Sequence, residues 1–172
     1  MEGDIFTDEN GFYQIDFTHA IWVEGSLNQK YRAAKIELSD VDWIAELNDH
    51  IVFIEYKNSN VPGASNPGSF DPTMDEHLKK VARKYYDSLH ILKVMKKGKR
   101  IRYIYIVEAP IVGSSERLMV RNKLQAKLPF LLQVGMKDEL INNLLVLSIE
   151  EWNNHANYSV YPLTPCTPET LT

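Results

Sequence analysis

Two carboxylates and an ammonium, Asp42, Glu55 and Lys57, flank a short polar pair, Asn48-Asp49, that lies between apolar-rich runs. That pattern reads as a β-hairpin. If Asn48-Asp49 is a two-residue loop, pairing back from it sets Leu47 opposite His50, Ala45 opposite Val52, Ile44 opposite Phe53 and Asp42 opposite Glu55. Directly opposed side chains in an antiparallel pair have Cβ atoms about 4.5 to 5.5 Å apart, and like charges there destabilise the sheet. The strand period of two places Lys57 on the face of Glu55, so a carboxylate pair and an ammonium are expected to converge at one strand end. A divalent cation between the carboxylates would remove their repulsion, and hard oxygen ligands suit Mg²⁺ or Mn²⁺ better than zinc. The competing reading is a salt bridge at a sheet end, worth about 0 to 1 kcal/mol when exposed.

The elements that must position these groups can be read outward from the hairpin. Val52, Ile54 and Tyr56 form one apolar face of the second strand, while Ile51 and Phe53 share the other with Glu55 and Lys57. Apolarity on both faces predicts a central strand covered by helices. Upstream, Ala20, Ile21 and Val23 suggest a helix from Thr18 to Leu27 that could deliver Glu24 as a third acid. Lys30 to Leu38 is expected as a lead-in strand. Asp40 shares the parity of Asp42, which is favoured because it alone faces Glu55. Asn58 to Pro72 is rich in Gly, Pro, Ser and Asn and reads as a long loop, either a flap over the strand end or an inert surface segment.

Thr73-Met74-Asp75-Glu76 has capping-box spacing, and Leu78, Val81, Tyr85, Leu89 and Leu92 make a core-facing stripe through about Met95. Lys79, Lys80, Arg83 and Lys84 are placed outside that stripe. A strand at 101–107, a helix beginning near Ser115, a late strand at Leu144 to Leu147 and a capping box at Ser148 to Glu151 complete an α/β order. A Pro/Thr-rich segment from about 162 is expected to be an irregular tail.

One domain is the natural reading of 172 residues. With 44% hydrophobic and 24% charged residues, the composition is globular and excludes global disorder. No apolar run reaches membrane-spanning length, and the acidic Met1-Glu2-Gly3-Asp4 lacks a signal peptide's basic region, so a cytoplasmic protein is expected. Cys166 is the only cysteine, which excludes an intrachain disulfide and a thiolate zinc cluster. The net charge is -4, yet residues 74–102 carry ten Lys/Arg against three Asp/Glu. Such a patch can attract a polyanion despite the negative total, although a solvated helix face would look the same. Arg117, Arg121, Lys123 and Lys127 form a second basic surface.

Val41-Asp42 followed on the next strand by Glu55-Tyr56-Lys57 resembles the signature of the PD-(D/E)XK superfamily, the restriction-endonuclease-like nucleases. The resemblance spans about Thr18 to Val107. It implies a restriction-endonuclease-like core, a mixed β-sheet flanked by helices, and metal-dependent phosphodiester hydrolysis with DNA preferred over RNA. It also implies that Asp42, Glu55 and the Tyr56 carbonyl hold Mg²⁺ or Mn²⁺, that Lys57 positions water, and that Glu24 matches the acid on the preceding helix. Lys79, Lys80, Arg83 and Lys84 are the expected nucleic-acid contacts. Val41 replaces the usual proline, and the Gln-XXX-Tyr motif of one exonuclease branch is absent. A non-catalytic nucleic-acid-binding relative and a structural or protein-interaction domain are the alternatives, with a homodimer or accessory protein left open as partners.

Overall fold

The computed structural model describes residues 4–64 and 66–167. Its elements in chain order are β1 (Ile5–Thr7), β2 (Tyr13–Asp16), β3 (Trp22–Glu24), α1 (Leu27–Ala33), β4 (Trp43–Glu46) and β5 (His50–Asn58). After a 3₁₀ turn at Pro67–Ser69 come α2 (Asp75–Val94), β6 (Arg100–Glu108), α3 (Ser114–Gln125), β7 (Asn143–Leu147), α4 (Ile149–Asn153) and β8 (Leu163–Pro165). A mixed five-stranded sheet runs β3-β4-β5-β6-β7, and a smaller antiparallel sheet runs β1-β2-β8. Consecutive strands β3, β4 and β5 pair antiparallel, β3 to β4 through a connection that carries α1 and β4 to β5 through a tight turn. The parallel pairs β5-β6 and β6-β7 require crossovers, which α2 and α3 provide.

The hairpin has the expected register, with Ile44 opposite Phe53 and Ala45 opposite Val52. Continued one step beyond β4, that register sets Asp42 opposite Glu55. β5 is the central strand of the sheet, and its residues from His50 to Tyr56 are all buried. On one face Ile51 and Phe53 pack with Leu78, Val81, Tyr85 and Leu92 of α2 and with Val120 and Leu124 of α3. The stripe read from α2 is therefore its core face.

The opposite face departs from the expected helix cover. Val52, Ile54, Tyr56, Ile104 and Ile106 pack against Ile15 and Leu163 of the small sheet, against Phe17 just after β2, and against Trp152, Tyr158 and Tyr161. Trp152 stacks on Tyr158 at 4.7 Å between ring centroids and donates its indole N–H to the Tyr161 carbonyl at 2.7 Å. Its placement follows from the capping box at the start of α4: the Ser148 hydroxyl accepts from the Glu151 N–H, and the Glu151 carboxylate accepts from the Ser148 N–H.

Four local expectations are corrected. Residues 18–26 form β3 and turns rather than a helix, because Trp22, Val23 and Glu24 pair with β4, and helix begins only at Leu27. The segment Lys30 to Leu38, expected as a strand, instead carries the last turn of α1 and then irregular chain. The Thr73 hydroxyl bonds Asp71 instead of capping α2, whose N-cap is Met74. The Pro/Thr-rich segment contributes β8, with Pro165 tolerated because β8 is an edge strand. The expected tail beyond 167 lies outside the described residues.

Candidate active site

The open end of the β4-β5 hairpin lies at the floor of a cleft of about 630 Å³, walled by the β1-β2 connection, α1 and the segment before β4. Asp40, Asp42, Glu55, Lys57 and Lys84 all line it. Asp42 follows the bend preceding β4, and its Oδ2 accepts the Tyr56 backbone N–H at 2.7 Å. This bond extends the hairpin's connection beyond its last strand pair and fixes the Asp42 carboxylate beside Glu55.

Glu55 is 6% exposed although it is a carboxylate on a central strand. Its Oε1 accepts from the Lys84 ammonium at 2.6 Å, and the same ammonium lies 4.0 Å from Asp42 Oδ1. Its Oε2 is buried without a hydrogen-bond partner. An unsatisfied buried acceptor is expensive, and one on a charged group more so. Burial first, then the neighbouring Asp42 charge, pushes the Glu55 carboxyl well above its ordinary range despite Lys84. Burial also raises Asp42 and Asp40. Lys84 shows the converse: burial pulls its ammonium down, but the charges of Glu55 and Asp42 outweigh that and hold it above its usual range.

The expected site residues are only partly brought together. Asp42 and Glu55 meet as expected. Lys57 reaches the cleft, but its ammonium is exposed and lies 5.7 Å from the centroid of the Phe70 ring instead of joining the carboxylates. Lys84 supplies that charge. It was expected on an outer phosphate-binding surface, yet it lies three residues after Val81 and four before Ser88, both buried on α2, and so shares their inward direction. That spacing was the available signal.

Glu24 is not delivered by a helix. It ends β3, where its carboxylate accepts from the Ser26 N–H and hydroxyl at 2.8 and 2.9 Å and pairs with Lys30. Burial raises its pKa, but Lys30 and Ser26 together hold it below the usual value. Asp40, with Asp8 and Glu9, supplies the further acids that line the cleft, and Glu24 does not line it. The Tyr56 side chain faces the small sheet, near Tyr13 and Trp43, so only its backbone is available at the site.

On α2, Lys79 pairs with Asp75 at 2.8 Å and Arg83 with Asp87 at 3.3 Å, leaving Lys80 exposed with no ion pair among the described residues. The second basic surface is also engaged: Arg117 pairs with Glu151, Arg121 and Lys123 donate to backbone carbonyls, and Lys127 pairs with Asp75.

Among the described residues no group of three or more His, Cys, Asp or Glu is arranged to hold a metal ion. The arrangement is a carboxylate pair rather than a cage. It still suits Mg²⁺, which keeps several waters and uses one or two carboxylates together with substrate phosphates. Glu55 Oε2, buried and without a hydrogen-bond partner, is the oxygen that such an ion would use. No helix among the described residues is long and apolar enough to cross a membrane. No protein-family model, curated protein sequence or solved structure matches the chain.

Proposed function

We propose that this cleft hydrolyses phosphodiester bonds of nucleic acid with Mg²⁺ or Mn²⁺, with DNA the preferred substrate. One observation carries the reading: a buried carboxylate with an unpartnered oxygen, Glu55, stands opposite a second carboxylate, Asp42, on the floor of an open cleft. A structural site would be expected to neutralise and bond both groups, whereas an active site tolerates such unfavourable arrangements for their chemistry. The order of Asp42, Glu55 and Lys57 on adjoining strands adds the resemblance to PD-(D/E)XK nucleases.

In this reading Asp42 and Glu55 hold the ion, with the Tyr56 carbonyl as a third ligand. When bound, such an ion acts as a Lewis acid toward the phosphoryl oxygens and lowers the pKa of coordinated water. Lys57, exposed at the cleft edge, orients the attacking water or offsets charge growing on the phosphoryl group. The Tyr56 N–H keeps Asp42 in place. Lys80, with Lys79 and Arg83 where their i, i+4 pairs open, attracts the phosphate backbone without reading sequence.

A second reading rests on Lys84, whose ammonium already binds Glu55 and makes the cluster a structural ion pair in a nucleic-acid-binding or protein-interaction domain. A cleavage panel separates the two. Single-stranded, duplex, nicked and branched DNA, together with RNA, are incubated in Mg²⁺ or Mn²⁺ with an EDTA control. Hydrolysis that requires the ion and is lost in both Asp42→Ala and Glu55→Ala supports the nuclease. Binding without cleavage of any substrate favours the structural reading.

A further inference from the structure

Lys84 places a positive charge beside the carboxylate pair that a divalent cation would have to share. Its ammonium is 2.6 Å from Glu55 Oε1 and 4.0 Å from Asp42 Oδ1, and its side chain is 30% exposed. Its stem leaves α2 from between Val81 and Tyr85, both buried, so the backbone anchor is fixed while the four-carbon chain can swing. The cleft provides somewhere to go, because Lys84 lines it together with the pair. Three carboxylates, Asp40, Asp42 and Glu55, face this one ammonium. Arg32 and Lys57 also line the cleft, but among the described residues only Lys84 pairs with Glu55 and Asp42.

Mg²⁺ binds carboxylate oxygens at about 2.0 to 2.1 Å, so an ion sharing Glu55 with the ammonium would stand only a few ångströms from it. Entry at the unpartnered Oε2 does not avoid the repulsion, because both oxygens belong to one carboxylate. Two cations at that separation repel strongly where water is scarce.

We propose that Lys84 is the resident counter-ion of the carboxylate pair, which a divalent cation displaces from Glu55, freeing the ammonium to meet the substrate phosphate. This rests on the metal-dependent reading of the cleft. It makes Lys84 a positioning residue that competes with the ion in the resting protein. The device keeps the buried carboxylates partly neutralised without metal and couples metal arrival to the appearance of a positive charge in the cleft.

Mn²⁺ binding to the full chain, without substrate and at pH 8, tests it by the electron paramagnetic resonance signal of the free ion. Lys84→Met is expected to bind Mn²⁺ at least about tenfold tighter than the unaltered protein, because a nearby positive charge is removed. Lys84→Arg, which keeps the charge, is expected to stay within about threefold. Lys84→Gln provides a second neutral variant, and thermal unfolding identifies which proteins are folded. Equal or weaker Mn²⁺ binding by the folded neutral variants overturns the counter-ion role while leaving the metal site intact. Mn²⁺ binding that is indifferent to Glu55→Gln, or absent from the unaltered protein and the folded neutral variants alike, overturns both the counter-ion role and the metal-dependent reading.

Discussion

The two ends of the β4-β5 hairpin each hold a buried glutamate, and they treat it in opposite ways. At the turn end Glu46 takes Lys97 at 2.5 Å and Lys99 at 3.0 Å. Lys97 also rests over the Trp22 ring at 5.1 Å, and Lys99 donates to the Leu47 carbonyl at 2.7 Å. Two ammonium groups serve one carboxylate, and their hydrogen bonds hold it below its usual range. At the open end one ammonium serves Asp42 and Glu55, an oxygen goes unpartnered, and burial pushes both carboxyls up. The same strand pair thus carries a cluster suited to stability and a cluster that stability alone would not select. Such a contrast within one element locates function better than either cluster alone.

The largest expected effect lies at the open end. If the proposed hydrolysis takes place there, Asp42→Asn and Glu55→Gln should each lower metal-dependent cleavage by roughly a hundredfold or more, since each would remove a charged ligand. Glu46→Gln should leave the rate within about twofold while costing roughly 1 to 3 kcal/mol of stability through its charge-assisted bonds. Rates and denaturant midpoints on the same three proteins would check both halves. Loss of cleavage in Glu46→Gln at a temperature where it remains folded would remove the contrast.

A second effect has opposite signs at the two ends. Glu46 is more acidic folded than unfolded, so its contribution is fully present above the unfolded value near 4.5 and is lost as pH falls through the lower folded value. Glu55 is less acidic when folded, so its ionisation is a cost that grows as pH rises from about 4.5 toward the raised folded value. Melting temperatures measured across the acid to neutral range should show Glu46→Gln losing part of the rise with pH. Glu55→Gln should lose part of the subsequent fall. Both variants flattening the same limb would contradict this assignment.

The smallest effect belongs to the outer face of α2. Neutralising Lys79, Lys80 and Arg83 while keeping Lys84 should reduce the salt dependence of DNA binding by a slope of up to about three, roughly one for each phosphate left without its cation, with little change in folding. Changing Lys80 alone should supply most of any single-residue loss, because Lys79 and Arg83 are already paired on the helix. An unchanged slope in the triple variant would place the nucleic acid elsewhere.

The hairpin register was legible from a period of two and a polar turn, and it carried the opposition of Asp42 and Glu55 with it. The α2 core face was legible from Leu78, Val81, Tyr85 and Leu92. The role of Lys84 was not drawn from them, because a lysine beside an apolar stripe normally sends its charge to water. Here the buried carboxylate of Glu55 on β5, with Asp42 beside it, turns it inward. Glu24 and β8 were missed for a different reason. Three-residue strands carry too little local pattern, and they exist through partners far away: Trp22 opposite Glu46, and Leu163 opposite Ile15. Cys166, expected in an exposed tail, instead follows β8, donates its N–H to the Phe12 carbonyl at 2.9 Å and is half-buried.

Paired cleavage rates of Glu55→Gln and Glu46→Gln, on the best-cut substrate at saturating Mg²⁺, test hydrolysis at the open end most directly. Both changes remove one buried negative charge from β4-β5 and keep side-chain shape. Hydrolysis at that end predicts that Glu55→Gln is nearly inactive while Glu46→Gln, though less stable, cuts at close to the unaltered rate. Undiminished cleavage by folded Glu55→Gln would contradict it.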